Sequence, residues 1–563
     1  MNTLFTGIFK KYSLQQFQKD LIAGIVVGVI AIPLAMSFAI ASGVKPEYGI
    51  YTACIAGILI SIFGGSKFQI GGPTGAFVPI LLGIVLTYGY QNLLIAGILA
   101  GIILCLMGIF KLGSLIKFIP RPVTIGFTSG IAVIIFTGQI ANFLGLTGIE
   151  KHETFIANMK EIIIHIGSVN LYSVITALIC LAILIIMPRI LPRIPAPLIG
   201  IIVSSLIAGW LFSGHIPTIG TTFGEIPSAL PKFQIPSFSW ETLQQLIGPA
   251  FAIAMLGAIE SLLSAVVADG LTNTKHDSNR ELIGQGIANI ITPLFGGIPA
   301  TGAIARTAAN VKSGAVSKMS GVIHGVFVLL TLLLLAPLAS KIPLASMAPI
   351  LMIVAWNMSE RAHFKHILRM KSGDSLILVV TFLLTVFTSL TIAVEVGLGL
   401  ALLLFTKKMS EAVTVKKSLP KHFREKREKI SHLWGGSDKN SPIGVYTVDG
   451  PLFFGAAQDF HEAVTDYIKQ KPKFLILRMG NVPFIDTTGE AYFRSILLQF
   501  RAQGGRLLIT GLPPHVKETL IHNGLYNAIG KDHFFEHVNE AITFSLEQLK
   551  QDKFDNLQSL RLS

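Results

Sequence analysis

Long apolar segments recur between Leu21 and Phe405, and they leave few alternatives to a helical membrane protein. A helix needs about twenty mainly apolar residues to cross a bilayer, and every backbone polar group must be satisfied inside lipid. Fourteen segments reach or approach that length, namely Leu21–Ala41, Gly49–Phe63, Gly75–Tyr88, Leu93–Phe110, Val123–Leu146, Leu171–Pro188, Pro197–Ser213, Leu246–Ala268, Leu282–Phe295, Gly302–Val311, Val316–Ala339, Leu344–Met358, Leu376–Ser389 and Ile392–Phe405. The third and the tenth are too short to span alone, which predicts half-helices surrounded by protein.

The composition supports this class of protein. Hydrophobic residues make up 51% of the chain and charged residues 13%, whereas charged residues are about a quarter of an average soluble protein. The three cysteines, Cys54, Cys105 and Cys180, lie within apolar segments without metal-ligand spacing, and we interpret them as inert core residues. The histidines form no HExxH motif or ligand cluster, and no nucleophile triad is visible. We therefore expect a membrane transporter and not an enzyme, without a cofactor or a metal centre.

The fourteen segments divide into two sets of seven. A shift of about 225 residues places Asp20-Leu-Ile on Gln245-Leu-Ile and Gly71-Gly on Gly296-Gly. An odd number of spans in each repeat turns the second repeat upside down in the membrane. The predicted transmembrane domain, residues 1–405, thus contains two inverted repeats at about 20–214 and 244–405.

Basic residues favour one side of this predicted domain. The loops after even-numbered segments are rich in lysine and arginine, whereas the loops after odd-numbered segments contain fewer of them and more acid. The positive-inside rule then places both termini in the cytoplasm of a protein in the plasma membrane. Residues 406–440 form a basic linker, which we interpret as solvated chain near anionic headgroups. The net charge of +14 is thus attributed to the membrane surface, and no nucleic-acid partner is expected.

From Ile443 the pattern changes to short strands and amphipathic helices. The predicted strands are Val445–Val448, Phe474–Leu477 and Arg506–Thr510, and the predicted helices are Ala457–Lys469 and Thr488–Gln503. This alternation predicts a small cytoplasmic α/β domain at 441–550 and a tail at 551–563. Asp486-Thr487-Thr488-Gly489 opens the second helix, and we interpret its hydroxyls as helix caps, although a phosphate there would also be tolerated.

Two similar motifs interrupt the apolar pattern at matching places in the two repeats. Gly71 to Ala76 reads GGPTGA, and Phe295 to Asn310 reads FGGIPATGAIARTAAN. A helix cannot continue through the proline, and the helix that starts after it has free N–H groups and a positive dipole end, which bind anions. Broken segments at matching places mark the midplane site of secondary transporters. As an alternative, the glycines of these two motifs allow helices to pack closely. These glycines are Gly71, Gly72, Gly75, Gly296, Gly297 and Gly302.

Ionisable residues inside the apolar segments are candidates for function. An acid at the bilayer centre costs about 2.5–3.5 kcal/mol, so Glu260 must face protein, water or a cation. Ser264 lies one turn further on the same face. We interpret the pair as a coupling site for H⁺ or Na⁺, with a structural hydrogen bond as the alternative. Arg306 is the one basic residue within the tenth segment. It either adds positive charge to the anion site, or it forms an ion pair with an acid such as Glu260 or Asp269 or extends to the membrane interface.

These features predict a secondary anion transporter, with three other classes open. The first is an anion channel, against which the buried Glu260 argues. The second is a nucleobase permease, which shares the inverted-repeat architecture. In the third, the soluble domain is the working part and the membrane portion is an anchor, which leaves the two matched breaks without a purpose.

Three stretches resemble the SulP family of anion transporters, which is related to animal solute-carrier anion exchangers and prestin. They are PLAMSFAIASGVKPEYGIYTA from Pro33, HDSNRELIGQGIANIITPLFGGIPATGAIARTAAN from His276 and FIDTTGE from Phe484. The resemblance implies fourteen spans as a 7+7 inverted repeat with core and gate parts, a cytoplasmic STAS domain, a homodimer and an elevator-like movement. The implied function is secondary transport of sulfate, or else bicarbonate or a C4-dicarboxylate, coupled to H⁺ or Na⁺; an uncoupled exchanger or a channel is the alternative.

The resemblance also assigns roles to individual residues. It puts the anion between the N-termini of the third and tenth helices, near an aromatic residue of the first; the matching residues are Phe38, Thr74, Gly75, Ala76, Phe77, Thr301, Gly302, Ala303 and Ile304. Arg306 matches an arginine that approaches the anion in several relatives. Glu260 and Ser264 match an aspartate and a threonine around the cation of a sodium-coupled bicarbonate relative. Thr487 falls where anti-sigma-factor antagonists have a phosphorylated serine.

Overall fold

The computed structural model describes residues 12–114, 119–191, 195–417 and 442–562. The chain divides into two compact units, Met1–Ala401 and Leu402–Ser563. Most of the predicted basic linker, residues 418–440, lies outside the described residues, as does the last residue of the predicted tail.

The helices of the first unit follow the predicted apolar segments, and each of the fourteen segments contains one. In chain order the helices are α1 (Leu14–Ala41), α2 (Pro46–Phe63), α3 (Val78–Tyr88), α4 (Tyr90–Ile109), α5 (Arg121–Gly138), α6 (Ile140–Leu144), α7 (Phe155–Ile164), α8 (Leu171–Ile190), α9 (Ala196–Leu211), α10 (Ile219–Phe223), α11 (Trp240–Thr272), α12 (Ser278–Ile291), α13 (Ile304–Lys312), α14 (Met319–Ala339), α15 (Leu344–Met358), α16 (Arg361–Arg369), α17 (Gly373–Phe387) and α18 (Leu390–Glu411). Within the described part of the chain, eight helical stretches are long and apolar enough to cross a membrane. The predicted half-helices are short, with 11 residues in α3 and 9 in α13.

Local sequence signals set the starts of several of these helices. α1 begins with a capping box in which Ser13 and Gln16 satisfy each other's backbone N–H groups. α12 begins after Asp277, whose carboxylate accepts hydrogen bonds from the N–H groups of Asn279 and Arg280. α2 has Pro46 at its first position, where the missing N–H costs nothing. The helix ends therefore follow from residues next to them in the chain.

The helices of the first unit pack in two groups. In the first group, α12 packs against α2 and α4, α14 against α1 and α2, and α11 against α4 and α13. In the second group, α15 packs against α5 and α8, and α17 packs against α5. Glycines bring backbones into contact within the first group, because a Cβ on Gly286 of α12 would lie 2.6 Å from the carbonyl oxygen of Gly101 in α4. Small residues of this kind permit close packing in membrane helices.

A two-stranded antiparallel ladder joins the two repeats. β1 (Gly71–Gly72) pairs with β2 (Thr301–Gly302), so that Gly71 faces Gly302 and Gly72 faces Thr301. The Ala303 N–H extends the ladder by donating to the carbonyl oxygen of Ile70 at 2.9 Å. Each strand directly precedes the start of a half-helix region, so the ladder brings the two breaks of the sequence together.

The second unit is an α/β domain with a five-stranded sheet. Its strands are β3 (Thr414–Lys417), β4 (Ile443–Asp449), β5 (Phe474–Asn481), β6 (Arg506–Thr510) and β7 (Phe534–Phe535), in the sheet order β3-β4-β5-β6-β7. Its helices are α19 (Ala457–Ile468), α20 (Thr487–Ala502), α21 (Pro514–His522), α22 (Leu525–Ile529) and α23 (Val538–Leu562). β3 is antiparallel to β4, and the other pairs are parallel.

Alternate residues of the central strand enter two separate cores, one on each face of the sheet. Leu475 and Leu477 belong to the core that also contains Phe460 of α19 and Phe493 of α20. Ile476 belongs to the other core, which includes side chains of α23. Because both faces are covered, the strand begins with a continuous apolar run, Phe474–Leu477, which is typical of parallel sheets.

Two predicted boundaries of this region are wrong. Residues 406–417 were predicted to be linker, but α18 continues to Glu411, and Thr414–Lys417 is a strand paired with β4. This edge strand contains two lysines in four residues, and the side chain of Lys416 is exposed, so hydropathy patterns do not reveal the strand. Residues 551–562 of the predicted tail belong to α23, which ends at Leu562.

Candidate functional site

The first break folds into a strand, one turn of 3₁₀ helix and a short α-helix. The turn spans Gly75–Phe77, and α3 follows from Val78. Thr74 precedes the turn in an extended conformation and makes no capping bond, and its buried hydroxyl has no partner among the described residues. The first N–H groups of a helix have no partner inside the helix. Without a side-chain cap, they remain available to an external acceptor.

The second break ends in a similar helix start. Ala303 is the residue before α13, is extended, and has no side-chain group that could cap the helix. Through the ladder, the strand before it is paired with the strand before the 3₁₀ turn. Two helix N-termini, each equivalent to about half a positive charge, are therefore held close to each other by backbone hydrogen bonds.

Gly75 lies against side chains from three other helices. A Cβ built on Gly75 would lie 3.0 Å from Sδ of Met358 and 3.2 Å from both Cδ1 of Ile135 and Cε1 of Phe38. Phe38 comes from α1, Ile135 from α5 and Met358 from α15. The start of α3 thus has an apolar wall to which both groups of helices contribute.

Arg306 is 3% exposed, and its guanidinium points back to the first break. Its Nη2 donates to the carbonyl oxygen of Pro73, whereas its Nη1 is buried without a partner among the described residues. Among the described residues, no carboxylate oxygen lies within 4.0 Å of this guanidinium. Oδ2 of Asp269 instead lies 2.7 Å from Nδ1 of His276. An unpartnered, buried donor of a cation is rare in proteins and calls for an acceptor.

Glu260 and Ser264 lie in α11, close to both breaks. The Ser264 hydroxyl donates to Oγ1 of Thr307 at 3.0 Å, and Thr307 in turn accepts from the N–H of Ile70 at 3.1 Å. Glu260 is 6% exposed and has no hydrogen bond or ion pair with the residues described. Among those residues, no group of three or more His, Cys, Asp or Glu side chains could hold a metal ion. The charge of the Glu260 carboxylate is therefore balanced by no partner among the described residues.

Two further hydrogen bonds tie α11 to the breaks. The Thr301 hydroxyl donates to the carbonyl oxygen of Gly257 at 2.9 Å. The Gln69 amide donates to the carbonyl oxygen of Ser261 at 3.1 Å, while its own oxygen has no partner in the described structure. These bonds fix the helix of Glu260 against the ladder, so the acid and the helix N-termini form one unit.

The repeated glycines also make this geometry possible. A Cβ on Gly71 would collide with Ile60, one on Gly297 with Thr292, and one on Gly302 with Gln69. The packing role considered for these glycines is therefore present in the structure. It is compatible with an anion site, because the same absence of side chains lets the two strands meet.

Family models match most of the chain. Residues 17–381 match the model described as the sulfate permease family, and residues 437–541 match the STAS domain. The chain belongs to the sulfate permease family. The chain is 54% identical over 536 residues to the putative sulfate transporter YvdB of Bacillus subtilis, covering 95% of this chain and 99% of that protein.

Solved structures agree with this assignment. The transmembrane domain of a cyanobacterial bicarbonate transporter, BicA, is 32% identical with a TM-score of 0.63, covering 68% of this chain and 99% of that domain. Murine Solute Carrier 26 family member A9, in its inward-facing state, has a TM-score of 0.85 at 19% identity, covering 97% and 94% of the two chains. The second likeness concerns the fold alone and includes residues of both units.

The STAS domain of this chain has an unexpected helix cap. The hydroxyls of the DTTG motif were predicted to cap α20, but the carboxylate of Asp486 does so, accepting from the N–H of Gly489 at 2.7 Å. Its second oxygen accepts from the N–H of Phe454 at 3.0 Å. Thr487 is the exposed first residue of the helix, and its hydroxyl makes no hydrogen bond with the described residues. A carboxylate accepts more strongly than a hydroxyl, which explains the choice.

Several residues of the membrane site were missed in the sequence. Gln69 and Thr307 are polar side chains that connect the helices, and Met358 and Ile135 are ordinary apolar residues of the wall. His324 is fully buried in α14 against Gly57, and neither of its ring nitrogens has a partner in the described part of the chain. The signal for His324 was available, since a histidine inside an apolar segment is rare.

Proposed function

We propose that this protein transports a small anion across the plasma membrane, with sulfate as the first candidate and bicarbonate or a C4-dicarboxylate as the next. The β1–β2 ladder is the main support, because it joins two uncapped helix N-termini with the guanidinium of Arg306. The names of two similar proteins, a putative sulfate transporter and a bicarbonate transporter, favour the same substrates.

The electrostatics of the site favour an anion. Each helix end contributes about half a positive charge, and Arg306 adds a full charge with a donor that has no acceptor in the described structure. An anion between the helix ends would accept from their N–H groups and from Nη1 of Arg306. The apolar wall of Phe38, Ile135 and Met358 limits its size and excludes water.

Glu260 supplies the coupling to a cation. The carboxylate is buried without a protein partner, and its charge in the membrane is costly. Uptake of H⁺ neutralises it directly, and Na⁺ pairs with it, with the lone pairs of Ser264 as a further ligand. The cation and the anion then neutralise each other, which makes the movement of both together less costly than the movement of either alone.

The two groups of helices support an elevator-type movement in a homodimer. The breaks, α1 and α11 belong to the first group, whereas Ile135 and Met358 of the wall belong to the second. Sliding of the first group along the second would expose the anion first on one side and then on the other. The predicted charge distribution places both termini in the cytoplasm.

The proposal is tested with purified protein in liposomes. Uptake of labelled sulfate, bicarbonate and succinate is measured under an imposed pH or Na⁺ gradient. We expect gradient-driven uptake of one anion. Arg306→Gln should raise the half-saturating concentration roughly ten- to hundredfold, since a hydrogen bond to a charged group contributes about 1.5–3 kcal/mol. Arg306→Lys keeps the charge and should have a smaller effect.

Three results would contradict the proposal. Absence of uptake of all three anions excludes these substrates, and uptake that ignores both gradients indicates an uncoupled exchanger or a channel. Unchanged half-saturation in correctly folded Arg306→Gln removes the guanidinium from the anion site.

A further inference from the structure

A large cavity lies between the two groups of helices, at the end where α1 and α3 terminate. Its volume is about 860 Å³. It extends from Val78 and Pro79, the first residues of α3, to the loop at residues 145–154 and the junction of α17 and α18. The cavity therefore reaches from the start of α3, next to the candidate anion site, to the end of the protein that the charge distribution assigns to the outside.

Only one lysine or arginine lines this cavity within the described residues. It is Lys151, in the loop between α6 and α7, and the other ionisable side chains of the lining are His152, Glu153 and Tyr88. Nζ of Lys151 donates to the carbonyl oxygen of Ile40 at 2.7 Å, in the last turn of α1. An ammonium at the C-terminus of a helix faces the negative end of its dipole. Because an ammonium has three donors, two remain after this bond.

The loop holds Lys151 in a defined place. The Asn158 side chain accepts from the N–H of His152 at 3.0 Å and donates to its carbonyl oxygen at 2.7 Å. The ring of Phe155 packs edge-on against Phe387 of α17, with 5.8 Å between the ring centroids. These contacts attach the loop to the second group of helices, whereas the bond of Lys151 reaches the first group.

The acids near Lys151 already have other partners. Glu153 accepts a hydrogen bond from the hydroxyl of Thr87 at the end of α3. Glu161 of α7 lies 3.6 Å from the ring of His152 and 3.3 Å from that of His165. α1 and α3 contribute no charged side chain to the lining. The ammonium is therefore free of a carboxylate partner within the described residues, although it faces a space large enough for a hydrated anion.

We propose that Lys151 is an outer anion-binding residue, which receives the transported anion in this cavity before the anion reaches the helix N-termini. The inference rests on the proposed function and adds a second station on the path of the same substrate. The bond to Ile40 orients the ammonium, and its two remaining donors bind the anion.

The charge of this residue depends on pH in the range of transport experiments. The Lys151 side chain is accessible within the cavity, but protein surrounds its ammonium, and this burial lowers the pKa of Lys151 to about 8. The ammonium is charged below that pH and loses its proton above it. Capture of an anion should therefore weaken as the external pH rises through about 8.

Initial rates of labelled sulfate uptake into intact cells, at a range of external sulfate concentrations, test this inference. Sulfate keeps its charge over the pH range used, and labelled bicarbonate at pH 7 replaces it if the wild type carries only bicarbonate. Lys151→Gln should raise the external half-saturating sulfate concentration about tenfold and leave the maximal rate within about twofold. The reason is that the ammonium of Lys151 binds the anion before the transport step and takes no part in that step. Added salt should reduce the difference between the variant and the wild type.

Two matched variants separate this role from a structural one. Lys151→Arg retains the charge at every pH used, so it should keep the wild-type half-saturation at pH 7 and abolish its rise between pH 7 and 9. Lys160→Gln removes the same charge from an exposed position of α7 outside the cavity lining, and it should behave like the wild type.

The outcomes distinguish the two proposals. The role of Lys151 is overturned if the wild type takes up the anion and Lys151→Gln has the same half-saturating concentration. It is also overturned if Lys160→Gln raises the half-saturating concentration as much as Lys151→Gln does. Both results leave the proposed transport function unaffected. A reduced maximal rate with unchanged half-saturation would mean that the residue only supports the fold. If the wild type carries neither anion, the proposed substrates and this inference fail together.

Discussion

Gly72 and Arg306 are in direct contact across the two repeats of the chain. A Cβ atom on Gly72 would lie 2.6 Å from Nη1 of Arg306, and the φ of Gly72 is +151°. Residues with a side chain rarely adopt that backbone conformation. The guanidinium thus rests on a surface that only glycine provides, next to the carbonyl oxygen of Pro73 that accepts its other donor.

Gly72→Ala should therefore displace Arg306. We expect the half-saturating anion concentration to rise about tenfold, and the new side chain to destabilise the protein by about 1–3 kcal/mol through backbone strain. Anion uptake in liposomes and thermal unfolding in detergent measure the two effects. Gly209→Ala is the control, because nothing lies within 4 Å of a Cβ at Gly209 in α9. Equal behaviour of the two variants would contradict the contact.

Glu260→Gln should separate anion movement from the cation gradient. The amide resembles the protonated acid in shape and cannot change its charge, so accumulation against a gradient should be lost while exchange of anions across the membrane continues. Uptake with and without an imposed pH or Na⁺ gradient measures this. Glu241→Gln, an exposed acid in the first turn of the same helix, should keep full coupling. Gradient-driven accumulation in Glu260→Gln would rule out the coupling role.

The hydrogen bond between Ser264 and Thr307 should contribute to stability. Each of Ser264→Ala and Thr307→Val removes the same 3.0 Å bond, so the double variant should lose less than the sum of the single variants. The expected coupling is about 0.5–1.5 kcal/mol. Thermal unfolding of the four proteins in detergent gives this value, and strictly additive effects would argue against the bond.

A substitution of Ser264 also distinguishes the two candidate coupling cations, Na⁺ and H⁺. If Na⁺ is the coupling ion, Ser264→Ala removes an oxygen next to it and should raise the half-saturating Na⁺ concentration several-fold. If H⁺ is the coupling ion, the dependence of transport on the pH gradient should persist in Ser264→Ala. Uptake of the transported anion at varied Na⁺ and at varied pH makes the comparison.

Asp486 should stabilise the start of α20 in the STAS domain, whereas Thr487 should not. Asp486→Ala removes the cap and should cost about 1 kcal/mol, which accelerates hydrogen exchange in the first turn about fivefold. Thr487→Ala removes a hydroxyl without a hydrogen-bond partner among the described residues and should leave exchange nearly unchanged. Hydrogen–deuterium exchange of the full-length protein compares the two. Faster exchange in Thr487→Ala would restore the hydroxyl to a capping role.

The membrane fold could be predicted because its signals are local. A helix in lipid needs a continuous apolar segment, so each of the fourteen predicted segments contains a helix in the structure. The strands around Val445, Phe474 and Arg506 were equally visible, because a strand covered on both faces is apolar throughout. β3 escaped detection because it is an edge strand with two lysines in four residues and therefore has no such signature.

By itself, the sequence determined the class of the protein, the two breaks and the presence of an acid and an arginine inside apolar segments. Only the tertiary structure decided which atoms meet there. Arg306 reaches a carbonyl oxygen 233 residues away, and Gln69, Thr307 and Met358 join the site from positions without a recognisable motif. The physical reason is that lipid selects residues one segment at a time, whereas a contact between segments depends on the faces that close packing brings together.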